Sequence, residues 1–308
     1  MTKFGLIGLG RFSENYIKTI QDFTIATEIV NCCSLNESSF KDKLHLFNKT
    51  PTWTNNYKEV CENPNIDVVI VCTPPETHYE IVLYALKNKK NVLCEKPFVF
   101  HPEEACELKK LAEENKKFLI INYIHLWNKF FKNTLKDFRL ENVLEIEFFI
   151  EAPKTNREHH SILWDWMTHD VAMLLHLFYK AEKFPEFNNF SENNISIAFD
   201  NDDYRKSDYF LVSLTINSIK VKFTYCINSD KRKRSLTVKN IDGSSFTKYD
   251  NFISKPLEEV MVDVIISNEN NLTVSNVDLA IEVTKFLYKV EKEIHDQSIS
   301  STVTSSSH

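Results

Sequence analysis

Three of the four glycines in this 308-residue chain fall between residues 5 and 10, in the run Phe4-Gly5-Leu6-Ile7-Gly8-Leu9-Gly10-Arg11-Phe12-Ser13. At average usage a chain of this length would carry roughly twenty, so the sequence avoids glycine almost everywhere and concentrates it in one turn. That turn follows a short apolar run and precedes a helical pattern, the context in which G-x-G carries meaning. Gly8 makes the tight strand-to-helix turn, and Gly10 lets backbone approach a pyrophosphate with no Cβ in the way. Ser13 stands at the third small position and keeps helix and strand close. The N–H groups and positive dipole that open the helix, around Arg11 and Phe12, then attract phosphates. A plain strand-to-helix turn without a ligand is the competing reading of these residues alone.

The pattern that follows is an alternation. Apolar runs at Phe4–Ile7, Glu28–Cys33, Val68–Cys72, Asn91–Cys94 and Phe118–Ile121 are separated by helical patterns at Ser13–Asp22, Ser38–Phe47, Tyr57–Cys61, Thr77–Lys87 and Pro102–Glu114. Strands alternating with helices imply right-handed βαβ units and a parallel sheet, and Val- and Ile-rich runs fit strands covered on both faces. After Asn122 the order changes: helices near Trp127–Phe138 and Ile162–Phe178 bracket a strand at Val143–Ile150. Strands follow at Ile195–Phe199, Tyr209–Ile216, Lys220–Ile227, Ser235–Val238 and Ser245–Tyr249, with helices at Pro256–Ile266 and Asn276–Lys292. Short turns such as Asn217-Ser218 and Asp242-Gly243 predict an antiparallel sheet. The fold class expected is therefore α/β. A Rossmann dinucleotide-binding domain over 1–122 precedes an α+β domain with an open, mostly antiparallel sheet over 123–297. The serine-rich residues 298–308 read as a disordered tail.

Composition narrows the partners. A net charge of −6 gives no reason to expect nucleic acid or an anionic membrane, and no apolar stretch is long enough to span a bilayer. The basic run Lys231-Arg232-Lys233-Arg234 reads as a solvated hairpin tip. Seven cysteines form no C-x-x-C and sit mostly in apolar runs, as buried reduced thiols of a cytoplasmic protein would. His159, His160, His169 and His176 match no common metal-ligand spacing, so no metal is expected.

Two further segments sit at the carboxyl ends of predicted parallel strands, where ligands of open α/β sheets bind. They are Thr73-Pro74-Pro75-Glu76-Thr77-His78 and Glu95-Lys96-Pro97. With the glycine turn, they make the chain resemble the Gfo/Idh/MocA family of sugar and inositol dehydrogenases. The helix near residue 165 supplies Leu163-Trp164-Asp165-Trp166-Met167-Thr168-His169, whose Asp165 and His169 lie four apart and so share a helix face.

The resemblance implies that Lys96, Asp165 and His169 are the catalytic group. Gly8, Gly10, Arg11, Phe12, Ser34, Thr73, Pro74, His78, Glu95 and Lys96 then contact the cofactor, and Lys96, His125, Trp164, Asp165 and His169 the substrate. A histidine titrating near neutrality suits the hydroxyl proton that must leave as a carbinol gives up hydride. Lys96 can stabilise charge developing on the reacting oxygen. Taken singly, each could be an ordinary surface charge or helix contact.

Two departures from the family pattern matter. No carboxylate stands where one often holds the adenosine ribose: the stretch reads Asn31-Cys32-Cys33-Ser34-Leu35-Asn36. Ser34, with Lys41 or Lys43 nearby, points to NADP(H) in preference to NAD(H). His125 occupies a region where relatives usually carry arginine, so the substrate's polar groups could differ. The expected activity is NAD(P)-dependent oxidoreduction of a sugar, cyclitol or nucleotide-linked sugar at a CH–OH carbon. A catalytically inactive sensor of the same fold is the alternative, and an enzyme acting on a linear tetrapyrrole or an imine a narrower one. The resemblance also implies a homodimer or homotetramer formed through the open sheet.

Overall fold

The computed structural model describes residues 1–23, 26–153, 161–180, 195–201, 203–250, 255–270 and 275–305. The chain divides into two compact units, Met1–Trp127 with Lys255–Thr284, and Asn128–Ser254 with Lys285–His308.

The first unit is built on six parallel strands: β1 Thr2–Ile7, β2 Thr27–Cys33, β3 Thr52–Thr54, β4 Val68–Val71, β5 Asn91–Glu95 and β6 Leu119–Asn122. Their order is β3-β2-β1-β4-β5-β6, with every pairing parallel. Strand order reverses beside β1, so the crevice between β1 and β4 is the switch point where such sheets bind ligands. Helices α1 Ser13–Asp22, α2 Glu37–Lys41, α3 Tyr57–Glu62, α4 His78–Lys87 and α5 Pro102–Glu114 supply the crossovers. Val68, Val69, Ile70 and Val71 are all fully buried, as strands covered on both faces must be. The first domain was expected to end at Asn122 with the chain thereafter in the second. Instead α8, Pro256–Glu269, returns to this unit. The cause is an apolar stripe, Leu257, Val260, Met261, Val264 and Ile265, that shares one core with Tyr16, Ile17 and Ile20 of α1.

The second unit holds α6 Lys129–Asp137, α7 Thr168–Lys180 and strands β7 Val143–Glu151, β8 Ile195–Phe199, β9 Tyr209–Ile216, β10 Ile219–Cys226, β11 Lys233–Asn240 and β12 Ser245–Tyr249. The sheet runs β12-β11-β7-β10-β9-β8. Its pairings are antiparallel except for β10 with β7. Asn217 and Ser218 take φ 48° and 67°, the two left-handed residues of a tight hairpin turn. One face of the sheet is apolar, with Phe148 stacked on Phe223 at 5.2 Å.

The basic run is corrected here. β7 lies between β10 and β11, so residues 231–234 do not tip a hairpin. Arg234, far from being solvated, is 4% exposed. The final helix, α9 Val277–Ser305, carries helical backbone into the stretch from Ser298 that composition marked as tail.

Candidate active site

In the first unit the site begins at the glycine turn. Gly8 has φ +98°, and a Cβ there would stand 2.4 Å from the Cys72 carbonyl oxygen, so only glycine fits where β1 passes β4. At Gly10 the same construction meets nothing within 4 Å, which leaves backbone open to a ligand. Ser13 Oγ donates to the Gly10 carbonyl at 2.6 Å and closes the turn onto α1. Arg11 and Phe12 are exposed at the head of that helix. A backbone cradle followed by a helix N-terminus fits a dinucleotide pyrophosphate.

At the end of β2, Ser34 is already committed. Its hydroxyl donates to the Asn36 carbonyl at 2.8 Å and accepts from Trp53 Nε1 at 3.0 Å. The nearby cations are also paired, Lys41 with Glu37 and Lys43 with Glu14. Lys43 and its hydrogen bond hold the Glu14 carboxyl below the usual carboxylate range.

Beyond β4 and β5, His78 does not face a ligand at all. It is fully buried, with Nδ1 2.9 Å from the Pro97 carbonyl and 3.2 Å from that of Phe98. Its Nε2 lies 3.0 Å from the Thr73 carbonyl. The imidazole thus packs between the Thr73-Pro74 loop and the Lys96-Pro97 loop, its one N–H donating to a carbonyl of one of them, and burial holds its pKa below the ordinary histidine value. Thr77 Oγ1 lies 2.7 Å from both Thr73 Oγ1 and the Pro74 carbonyl, firming the same loop.

Glu95 points inward as well. Its Oε1 accepts from Tyr16 Oη at 2.6 Å and Asn122 Nδ2 at 2.7 Å, and Asn122 Nδ2 also donates to Tyr16 Oη at 2.8 Å. Burial raises the Glu95 carboxyl, against the pull of those two donors and the Lys96 charge. It also drives the Tyr16 phenol well above its usual value, reinforced by the Glu95 charge. Tyr16 and Asn122 are the residues that sequence reasoning missed. Lys96 itself is half-buried and joined to Pro97 by a cis peptide, and His125 is half-buried in a single 3-10 turn.

In the second unit, Asp165 and His169 are each 8% exposed. The segment Leu163–Met167 is a π-helical turn that runs into α7; such turns recur at functional sites. Thr168 Oγ1 donates to the Trp164 carbonyl at 2.7 Å, and the Trp164 N–H donates to Ser161 Oγ at 3.3 Å. Trp164 is 5% exposed, with its Nε1 donating to Glu291 at 3.0 Å, so little of its ring face is open to a substrate. Tyr204 donates to the same Glu291 oxygen. His159 and His160 lie outside the described residues. Among those described, no three His, Cys, Asp or Glu side chains are grouped to hold a metal, and no helix is long and apolar enough to cross a membrane.

Residues 2–123 match the Gfo/Idh/MocA oxidoreductase family with an NAD-binding Rossmann fold. The chain is 33% identical over 139 residues to a myo-inositol 2-dehydrogenase of Thermotoga maritima, covering 44% of this chain and 39% of that one. It is 28% identical over 130 residues to a trans-1,2-dihydrobenzene-1,2-diol dehydrogenase of Xenopus laevis, covering 42% and 38%. The matched stretch thus spans about two fifths of these curated relatives. The fold extends further: a scyllo-inositol dehydrogenase of Lactobacillus casei, solved with NAD(H) and scyllo-inositol, superposes with TM-score 0.82 over 96% of this chain and 98% of that one, at 12% identity. Turn, strand order and sequence agree over residues 2–123, and on that ground this part of the chain is similar to the NAD-binding Rossmann domain of the Gfo/Idh/MocA oxidoreductase family.

Proposed function

We propose that the protein is an NAD(P)-dependent dehydrogenase or reductase interconverting an alcohol and a ketone on a sugar, cyclitol or nucleotide-linked sugar. The observation that carries this reading is the open Gly8–Gly10 cradle at the switch point, with the Lys96 loop at the end of β5 in the same unit. Gly8, Gly10, Arg11 and Phe12 would hold the dinucleotide, and Thr73, Pro74 and Lys96 line its path. A bound dinucleotide would supply hydride transfer to or from the substrate carbon.

The rest of the work falls to side chains. His169 takes or returns the hydroxyl proton, Asp165 orients the imidazole or a substrate hydroxyl, and Lys96 donates to the reacting oxygen. His125 and the edge of Trp164 complete substrate binding. His78 and Glu95 serve the cofactor indirectly, by holding the loops that would meet it.

NADP(H) is our preferred cofactor, because no carboxylate ends β2 to take the ribose hydroxyls or repel a 2′-phosphate. Ser34 supports that preference less than its position suggested, since both of its hydrogen-bonding roles are taken. The seven free thiols agree with a cytoplasmic setting, and the open sheet of the second unit with a homodimer or homotetramer. Parallel fluorescence titrations with NADPH and NADH test the proposal. Binding of NADPH in preference to NADH is expected. Failure of both to bind to folded protein would leave only a ligand sensor of the same fold.

A further inference from the structure

The basic run that composition placed in solvent ends in an arginine that the fold buries. Arg234 on β11 and Tyr225 on β10 flank Ile150 of β7 in register, one row across the apolar face of the second sheet. The adjacent row is Phe223, Phe148 and Leu236, all buried. Against the polar row stands Asp170 of α7, 1% exposed, whose Oδ2 accepts from Tyr225 Oη at 2.9 Å. Its Oδ1 is 3.6 Å from Arg234 Nη2, close enough for attraction and too far for a hydrogen bond. Asp170 Oδ1 and Arg234 Nη1 are both buried without a hydrogen-bond partner.

An ion pair so incompletely satisfied is a poor way to stabilise a core. Desolvation of both charges is costly, and apolar residues of similar volume often do as well or better. What the cluster does supply is direction. Asp170 directly follows His169, and a helix rotates about 100° per residue, so fixing one side chain against the sheet fixes where its neighbour points. The need is local. The π-helical turn at Leu163–Met167 interrupts the regular α-helical register just before His169, and Ser161, Thr168 and Glu291 secure its Trp164 side.

The geometry points to Asp170, Arg234 and Tyr225 as positioning residues that set the rotation of the first turn of α7 and thereby the direction of the His169 imidazole. The role rests on the proposed function only in what His169 does, and the test separates the two. The full-length protein is compared with the double variant Asp170→Leu/Arg234→Met, which exchanges the ion pair for apolar volume, and with Tyr225→Phe, which removes one hydrogen bond and no ring. Imidazole resonances are recorded by NMR and assigned with His169→Gln and His176→Gln variants. His176 lies two turns along the same helix and serves as the internal control.

The double variant is expected to melt no lower than wild type and to bind NAD(P)H equally well. Its His169 resonance should shift or broaden while that of His176 stays in place, and Tyr225→Phe should move it less in the same sense. With a substrate in hand, kcat should fall at least about tenfold while KM changes little. A His169 resonance unmoved in folded double variant and in Tyr225→Phe would overturn the proposal, whether or not the enzyme turns over. Equal shifts at His169 and His176 would also overturn it, because the helix as a whole would then have moved. Should the double variant not fold, the resonance in Tyr225→Phe decides alone. A wild-type protein that oxidises or reduces no sugar would refute the proposed function and leave this result standing.

Discussion

At the scale of single residues, the most informative feature is a carboxylate that turned out to face inward. Glu95 was legible as a candidate site residue because it adjoins Lys96 at a strand end, and the sequence carries that much locally. Its partners were not legible, because Tyr16 and Asn122 reach it across 79 and 27 residues. Only the order of strands brings them together. The three side chains join the helix that follows the glycine turn to the ends of β5 and β6. Removing one donor from a buried carboxylate costs about 1–3 kcal/mol. Tyr16→Phe should therefore lower the free energy of unfolding by about that amount and weaken NAD(P)H binding, as read by urea denaturation and fluorescence titration. A change below about 0.5 kcal/mol would mean that the hydrogen bond does not hold the site. Arg234 teaches the same lesson from the other side. Four consecutive basic residues look solvated in one dimension, and only the placement of Asp170 beneath the fourth explains its burial.

At the scale of elements, α1 and α5 run from Ser13 to Asp22 and from Pro102 to Glu114, as helical periodicity required. Elements whose signal is short or mixed fared worse. β3 is three residues long, too few for a period to register. The helix expected over Ser38–Phe47 is only α2, Glu37–Lys41, followed by a separate 3-10 turn at Leu44–Leu46. The π-turn before α7 carries no distinctive sequence pattern, since a single widened turn leaves four-residue spacings nearly on one face.

The join between β4 and β5 makes a testable case at this scale. His78 spans their two loops, and burial holds its imidazole below the ordinary value near 6.5. The folded protein therefore takes up this proton less readily than the unfolded chain. The stability this contributes is complete above about pH 6.5 and is lost as pH falls through the lowered value. Thermal melts over about pH 5 to 7.5 should show the wild type losing stability towards acid. His78→Gln should be less stable at neutral pH and show a shallower acid slope. An unchanged slope would mean that another group is responsible.

At the scale of the molecule, the alternation of strands and helices in the first 122 residues was sufficient to read a parallel nucleotide-binding sheet, whose strand order only the structure supplies. The return of α8 to that unit was hidden, because an apolar helix stripe does not say which core it completes. The candidate site divides in the same way. The glycine turn, the Lys96 loop and the Asp165–His169 helix could each be recognised from contiguous residues, whereas the groups that hold them come from distant parts of the chain.

The central claim is that this fold performs chemistry and does not merely bind a nucleotide. The most direct measurement follows the nicotinamide absorbance as purified protein is given NADP or NAD with a panel of inositols, free sugars and nucleotide sugars, for wild type and His169→Ala side by side. Wild type is expected to reduce the cofactor with at least one member of the panel, and His169→Ala to lose about a hundredfold or more in kcat with cofactor affinity unchanged. Near-normal turnover in His169→Ala would contradict the assignment of the proton-transfer group. Cofactor binding without turnover on any substrate, in either direction, would contradict the claim of catalysis itself.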